Sequence, residues 1–171
     1  MDRYILSVLV NNHSGVLSRI AGLFSRRGYN IDSLSVGTTE DPEVSRMTIV
    51  VYGDHTVLEQ ITKQLAKLID VLHIKELKRK DSVYRELLLI KVCATQQNRS
   101  EVVQITDIFK AKIIDVDAAS VSMEITGDQD KLSAFIRLIE PFGIKEIVRT
   151  GMSAIGRGDE TISDDMNRKE M

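Results

Sequence analysis

Few side chains in this sequence have the type and spacing that would run a reaction. The histidines, His13, His55 and His73, lack metal-ligand spacing, and no metal site is expected. Cys93 is the single cysteine and falls in a strand-like run, where cysteine behaves as a small buried hydrophobe. Neither G-x-S-x-G nor G-x-G-x-x-G occurs. The run Gly151 to Gly158 (GMSAIGRG) half resembles a P-loop but lacks the Lys-Ser/Thr pair for phosphate and magnesium, and reads as a flexible turn. Asp41 and Glu43 flank Pro42 in a solvated loop, and Asp164-Asp165 reads the same way. Arg26-Arg27 and Lys78 to Lys80 are short basic runs on solvated faces. No catalytic residue is expected.

One segment stands apart: Asn12-His13-Ser14-Gly15-Val16-Leu17. A small polar turn opens directly into a helix pattern. The free N–H groups at a helix start favour an anion, and a carboxylate suits them. Gly15 removes a side chain that would block close approach. Asn12 offers a donor and an acceptor, for a ligand carboxylate or ammonium. A plain alternative needs no ligand, with Ser14 or Asn12 simply capping the helix.

The elements around that turn form a pattern that occurs twice. Tyr4 to Val10 is apolar on both faces, as a buried strand is. Val16, Leu17, Ile20, Leu23 and Phe24 recur at helical spacing, and Gly28 follows a basic last turn. Ile31 to Val36 and the alternation around Met47, Ile49 and Val51 predict two strands joined through Gly37 to Glu43. Val57, Leu58, Ile61, Leu65, Leu68 and Ile69 predict a second helix, and Val71 to Leu77 a fourth strand. About 80 residues later the order returns, from Leu87 to Ala94 through to Ile144 to Arg149. The pattern predicts an α+β protein of two ferredoxin-like βαββαβ domains, each a four-stranded antiparallel sheet with two helices on one face. The expected boundaries are a first domain at 3–77, a linker at 78–83, a second domain at 84–157 and a flexible tail at 158–171. The tail expectation rests on five acids and two bases from Asp159 onward. The sheet face without helices needs cover, from the other domain or a second subunit.

Composition narrows the classes further. In 171 residues, 23 Lys+Arg stand against 25 Asp+Glu, for a net charge of −2. That balance argues against a partner bound through phosphate neutralisation, so no nucleic acid is expected. Aromatic residues are 5% with no Trp, too few for a stacking platform. The start breaks at Asn11 without a signal peptide's apolar core, and no run is long enough to span a bilayer. A soluble cytoplasmic chain with no membrane association is expected.

The run NNHSGVLSRIAGLFSRRGYNIDSLSVGTTEDPEVSRMTIVVYGD, with LEQITKQLAKLIDV and FKAKIIDV, closely resembles the regulatory small subunits of acetolactate synthase (acetohydroxyacid synthase). The first half resembles an ACT domain, the ferredoxin-like module that binds amino acids as effectors. The resemblance implies a chain with no cofactor of its own. It implies a catalytic partner carrying thiamine diphosphate, a divalent metal such as Mg and FAD, which condenses pyruvate to acetolactate. The small subunit would raise that activity and confer feedback inhibition by valine or a related branched-chain amino acid. It further implies a homodimer through the ACT domains, with Asn12, Ser14, Gly15, Val16 and Leu17 of one chain facing Asn30 and Ile31 of the other across the effector. His13 falls at a variable position of the motif. Two other classes are weighed beside this one, an independent enzyme and a free-standing ACT adaptor for another enzyme or repressor.

Overall fold

The computed structural model describes residues 2–169 and contains two compact units. The first comprises the chain up to Tyr84 together with Met152 onward, and the second Arg85–Gly151. Both keep the expected βαββαβ order.

In the first unit the elements are β1 (Asp2–Asn11), α1 (Val16–Arg27), β2 (Ile31–Thr38), β3 (Val44–Gly53), α2 (His55–Leu65) and β4 (Val71–Glu76). The sheet order is β2-β3-β1-β4, and every paired neighbour is antiparallel. Alternation along the strands decides what each face meets. Leu6, Val8 and Val10 of β1 and Met47, Ile49 and Val51 of β3 point to the helices. They pack with Ile20 and Phe24 of α1 and Ile61 and Leu65 of α2. α2 starts at Asp54, whose carboxylate accepts from the Val57 N–H at 2.8 Å. It ends at Leu65, earlier than its apolar spacing predicts: Ile69 lies in the following turn and is 88% exposed.

The second unit repeats the plan. It contains most of β5 (Ser82–Cys93), then α3 (Arg99–Ile108), β6 (Lys112–Asp117), β7 (Ser120–Gly127), α4 (Gln129–Ile139) and β8 (Ile144–Arg149). Its strands pair in the order β6-β7-β5-β8. Leu88, Ile90 and Val92 of β5 and Met123 and Ile125 of β7 meet Val102, Leu132, Phe135 and Ile139 of the helices. Cys93 is half-buried and outside any disulfide.

Three boundaries differ from expectation. The stretch 78–83 is not an open linker: Arg79–Asp81 form a 3-10 turn, β5 begins at Ser82, and Ser82 is buried. The second compact unit comprises Arg85–Gly151, while the expected second domain runs from 84 to 157. The expected flexible tail contains an ordered helix. Ser153–Gly156 form β9 and Ile162–Lys169 form α5, and both belong to the first unit. Positions 170 and 171, also placed in that tail, lie outside the described residues.

The reason is the bare sheet face. Ile5, Val50 and Leu77 point away from the helices, and Met152 and Ala154 cover them. Ser35 donates to the Met152 carbonyl at 2.8 Å, and the Met152 N–H donates to Ser33 Oγ at 2.8 Å. His73 Nε2 meets Asp165 Oδ2 at 2.9 Å, tying α5 to β4. Part of the cover expected from elsewhere thus comes from the same chain. Among the described residues, no helix is long and apolar enough to cross a membrane.

Candidate functional site

The turn from Asn12 to Gly15 is exposed and leads into α1. Gly15 occupies the N-cap with φ +89°, a left-handed conformation that disfavours other residues. A Cβ added there would meet nothing within 4 Å, so Gly15 is needed for its backbone angle rather than for room inside the chain. Neither Ser14 nor Asn12 caps the helix: among the described residues no side chain bonds to its first N–H groups, and its first turn holds no acid. α2 and α4 are capped by Asp54 and Asp128, whereas α3, like α1, has no side-chain cap. The start of α1 therefore presents bare donors and the positive end of its dipole.

Asn12 is held by the β2–β3 hairpin. Its Nδ2 donates to the Pro42 carbonyl at 2.7 Å and its backbone N–H to the Glu43 carbonyl at 2.7 Å. One amide hydrogen is used, and Oδ1 remains an acceptor. Asp41 serves the hairpin itself, accepting from the Glu43 N–H at 2.9 Å, as its reading as a loop acid implies. Val16 turns into the core, so what it offers outward is backbone. Leu17, expected on the core face, is 45% exposed beside the turn.

Spacing alone did not reveal the group that steadies this turn. Asp70, buried before β4, pairs with Arg19 on α1 and with His13 Nε2 at 3.0 Å. Its carbonyl also accepts from the Asn11 N–H at 2.9 Å. His13, assigned no role from sequence, is thus a tether of the loop. These partners are more than fifty positions apart, and no local pattern joins them.

Asn30 and Ile31 lie at the other end of α1, Asn30 exposed and Ile31 opening the edge strand β2. A twelve-residue helix is about 18 Å long at 1.5 Å per residue. Within one chain these two residues do not meet the Asn12–Leu17 turn around a single amino acid. Among the described residues, no group of three His, Cys, Asp or Glu is placed to hold a metal.

The first unit is a ferredoxin-like domain in which an exposed polar turn opens into an uncapped first helix. The model of the AHAS small subunit-like ACT domain matches residues 6–73, and that of the small subunit of acetolactate synthase matches residues 85–158. A probable acetolactate synthase small subunit from Archaeoglobus fulgidus is 53% identical over 92% of this chain and 99% of its own. One from Methanothermobacter thermautotrophicus is 49% identical over 94% of this chain and 96% of its own. The crystal structure of an acetolactate synthase small subunit from Thermotoga maritima superposes with a TM-score of 0.87. It is 40% identical, over 94% of this chain and all of that one. The chain belongs to the family of acetolactate synthase small subunits, which are regulatory rather than catalytic.

Proposed function

We propose that this chain activates an acetolactate synthase catalytic subunit and makes it sensitive to valine, the effector binding at the start of α1 between two copies of the chain. The supporting observation is the bare α1 N-terminus. Its donors have no side-chain cap, and Gly15 keeps them open. The ligand carboxylate would meet the N–H groups of Gly15, Val16 and Leu17, with Ser14 beside them. Its ammonium would meet Asn12 Oδ1. Asn30 and Ile31 of a second copy would close the pocket, in keeping with their distance from the turn within one chain. Thiamine diphosphate, the divalent metal and FAD belong to the catalytic partner in this reading.

The energies are modest and additive only in outline. A carboxylate at a helix N-terminus gains roughly 0.3–1 kcal/mol, up to about 2 when partly buried. Burying a branched side chain adds roughly 1.5–3 kcal/mol. A methylene is worth only about 1–3 kcal/mol, so valine, isoleucine and leucine differ by degree. Inhibition follows if the ligand binds one arrangement of the two copies better than another.

The test mixes the chain with an acetolactate synthase catalytic subunit and measures turnover with and without valine. The chain should raise activity, and valine should lower it. Gly15→Asp puts a carboxylate beside that of the ligand. Two unit charges about 4 Å apart repel by roughly 4 kcal/mol at an effective dielectric near 20, enough to abolish the response. Gly15→Asn has nearly the same shape, tolerates positive φ and carries no charge. It should keep part of the response. Full valine sensitivity in Gly15→Asp would overturn the assignment.

A further inference from the structure

The helix-free face of the first sheet carries a polar cluster that the α1 site does not use. Ser7 on β1 is in register with Lys75 on β4, and Arg46 on β3 lies opposite Leu9 on the same face. The C-terminal segment crosses above them and leaves a cavity of about 200 Å³. That is below the roughly 300–1,000 Å³ of drug-sized sites and suits a small metabolite.

Two residues that line this cavity, Arg46 and Ser7, have no polar side-chain partner among the described residues. Arg46 Nε is shielded from solvent without a hydrogen-bond partner. Arg3 and Arg99 also have an unbonded Nε, but Arg3 pairs with Asp32 and Arg99 donates to three carbonyls. Arg46 has neither kind of contact among the described residues. Ser7 is 2% exposed, lines the cavity, and its hydroxyl has no partner among the described residues. Buried residues ordinarily pair their polar groups, so the Ser7 hydroxyl beside the unpaired Arg46 guanidinium on one cavity wall points to a missing acceptor. The opposite wall brings two acids, Asp159 and Glu160, and the lining includes the apolar side chains of Leu77, Ile155 and Ile162.

We propose that this cavity is a second small-molecule site, separate from the α1 turn, for an α-amino acid with a short aliphatic side chain. The carboxylate sits between Arg46 and Lys75 with Ser7 donating to it. The ammonium faces Asp159, and the side chain lies against Leu77, Ile155 and Ile162. A simple anion leaves Asp159 and Glu160 opposed, and a simple cation leaves Arg46 and Lys75 opposed. A zwitterion satisfies both walls.

The experiment uses the full chain carrying Gly15→Asp, which silences the α1 site in the reading above. L-valine, L-leucine and acetate are added in turn while backbone amide NMR shifts are followed. At least one of the two amino acids should shift Gly156 and Gly158, and acetate should shift them much less. Adding Arg46→Gln should weaken that binding about tenfold to a hundredfold, the usual loss for a charged hydrogen bond, with the remaining spectrum unchanged. Lys75→Gln, on a different strand, should weaken it in the same direction. No shift at Gly156 or Gly158 up to the solubility limit of both amino acids overturns the proposal, and so does equal binding of acetate. Failure here leaves the α1 site standing. Failure of the α1 site shows instead as valine inhibition that survives Gly15→Asp.

Discussion

Asp70→Asn is the sharpest test of how the α1 turn is held. The Asp70 side chain is 6% exposed, while those of its partners Arg19 and His13 are 56% and 52% exposed. A hydrogen bond to a charged group contributes about 1.5–3 kcal/mol. Here the partner ends lie half in water, so each contact counts for about half of that. Asparagine keeps one acceptor oxygen but turns an amide donor toward a second donor. The expected cost is about 2 kcal/mol. For a unit of about 100 residues each kcal/mol moves the melting point by about 4–8 °C, so the first unit should melt about 8–16 °C lower. Calorimetry on the full chain measures it. Only the transition of the first unit should move, because Asp70 and both partners lie within it. Hydrogen exchange should quicken at residues 12–17 while β3 stays protected. An unchanged melting point with unchanged exchange in the turn would refute the claim that Asp70 orders it.

Four further outcomes follow from the packing. Gly15→Ala meets no neighbour but must hold φ +89°, so it should destabilise by about 1 kcal/mol in urea unfolding. Phe135→Ala empties a fully buried position beside Phe109 and should cost about 3–5 kcal/mol, read in the melting of the second unit. Ending the chain at Gly151 uncovers Ile5, Val50 and Leu77, so it should lower the melting point of the first unit and raise binding of a hydrophobic dye. Glu59, exposed on α2, is held below the usual carboxylate range first by its hydrogen bond from Lys63, then by the charges of Lys63 and His55. The stability it adds is present near neutral pH and is lost as pH falls through its lowered value. Lys63→Ala should move its NMR titration back up.

The repeated βαββαβ order was legible because apolar period identifies each element on its own. Leu6, Val8 and Val10 alternate, and Ile20, Leu23 and Phe24 fall on one helical stripe. The misread parts are those where local pattern and burial separate. Ile69 continues the α2 spacing, yet the helix has ended and the side chain stands in solvent. The C-terminal segment failed in the opposite direction. It buries Met152, Ala154 and Ile162 among polar neighbours, which is too sparse a signal to register as an element. Its strongest ties are two serines on β2 and one histidine on β4, all more than ninety positions away.

The α1 turn was found from sequence because its signal is local: a small polar run, a glycine, then a helix. What gives that turn its shape is not local. Asn12 is fixed by the Pro42 and Glu43 carbonyls of the hairpin, and His13 by Asp70 across the sheet. A turn that leaves its donors free needs such support. Each N–H left for a ligand is one the loop does not use to hold itself, so order must come from bonds made elsewhere. Asp70 is the clearest case. It lies near α1 yet pairs with Arg19 and His13 and leaves the first-turn N–H groups uncapped. A carboxylate capping the helix itself would stabilise α1 and occupy the donors on which the proposed effector site rests. Placing that carboxylate on the side chains that flank the turn provides the order and keeps the donors open.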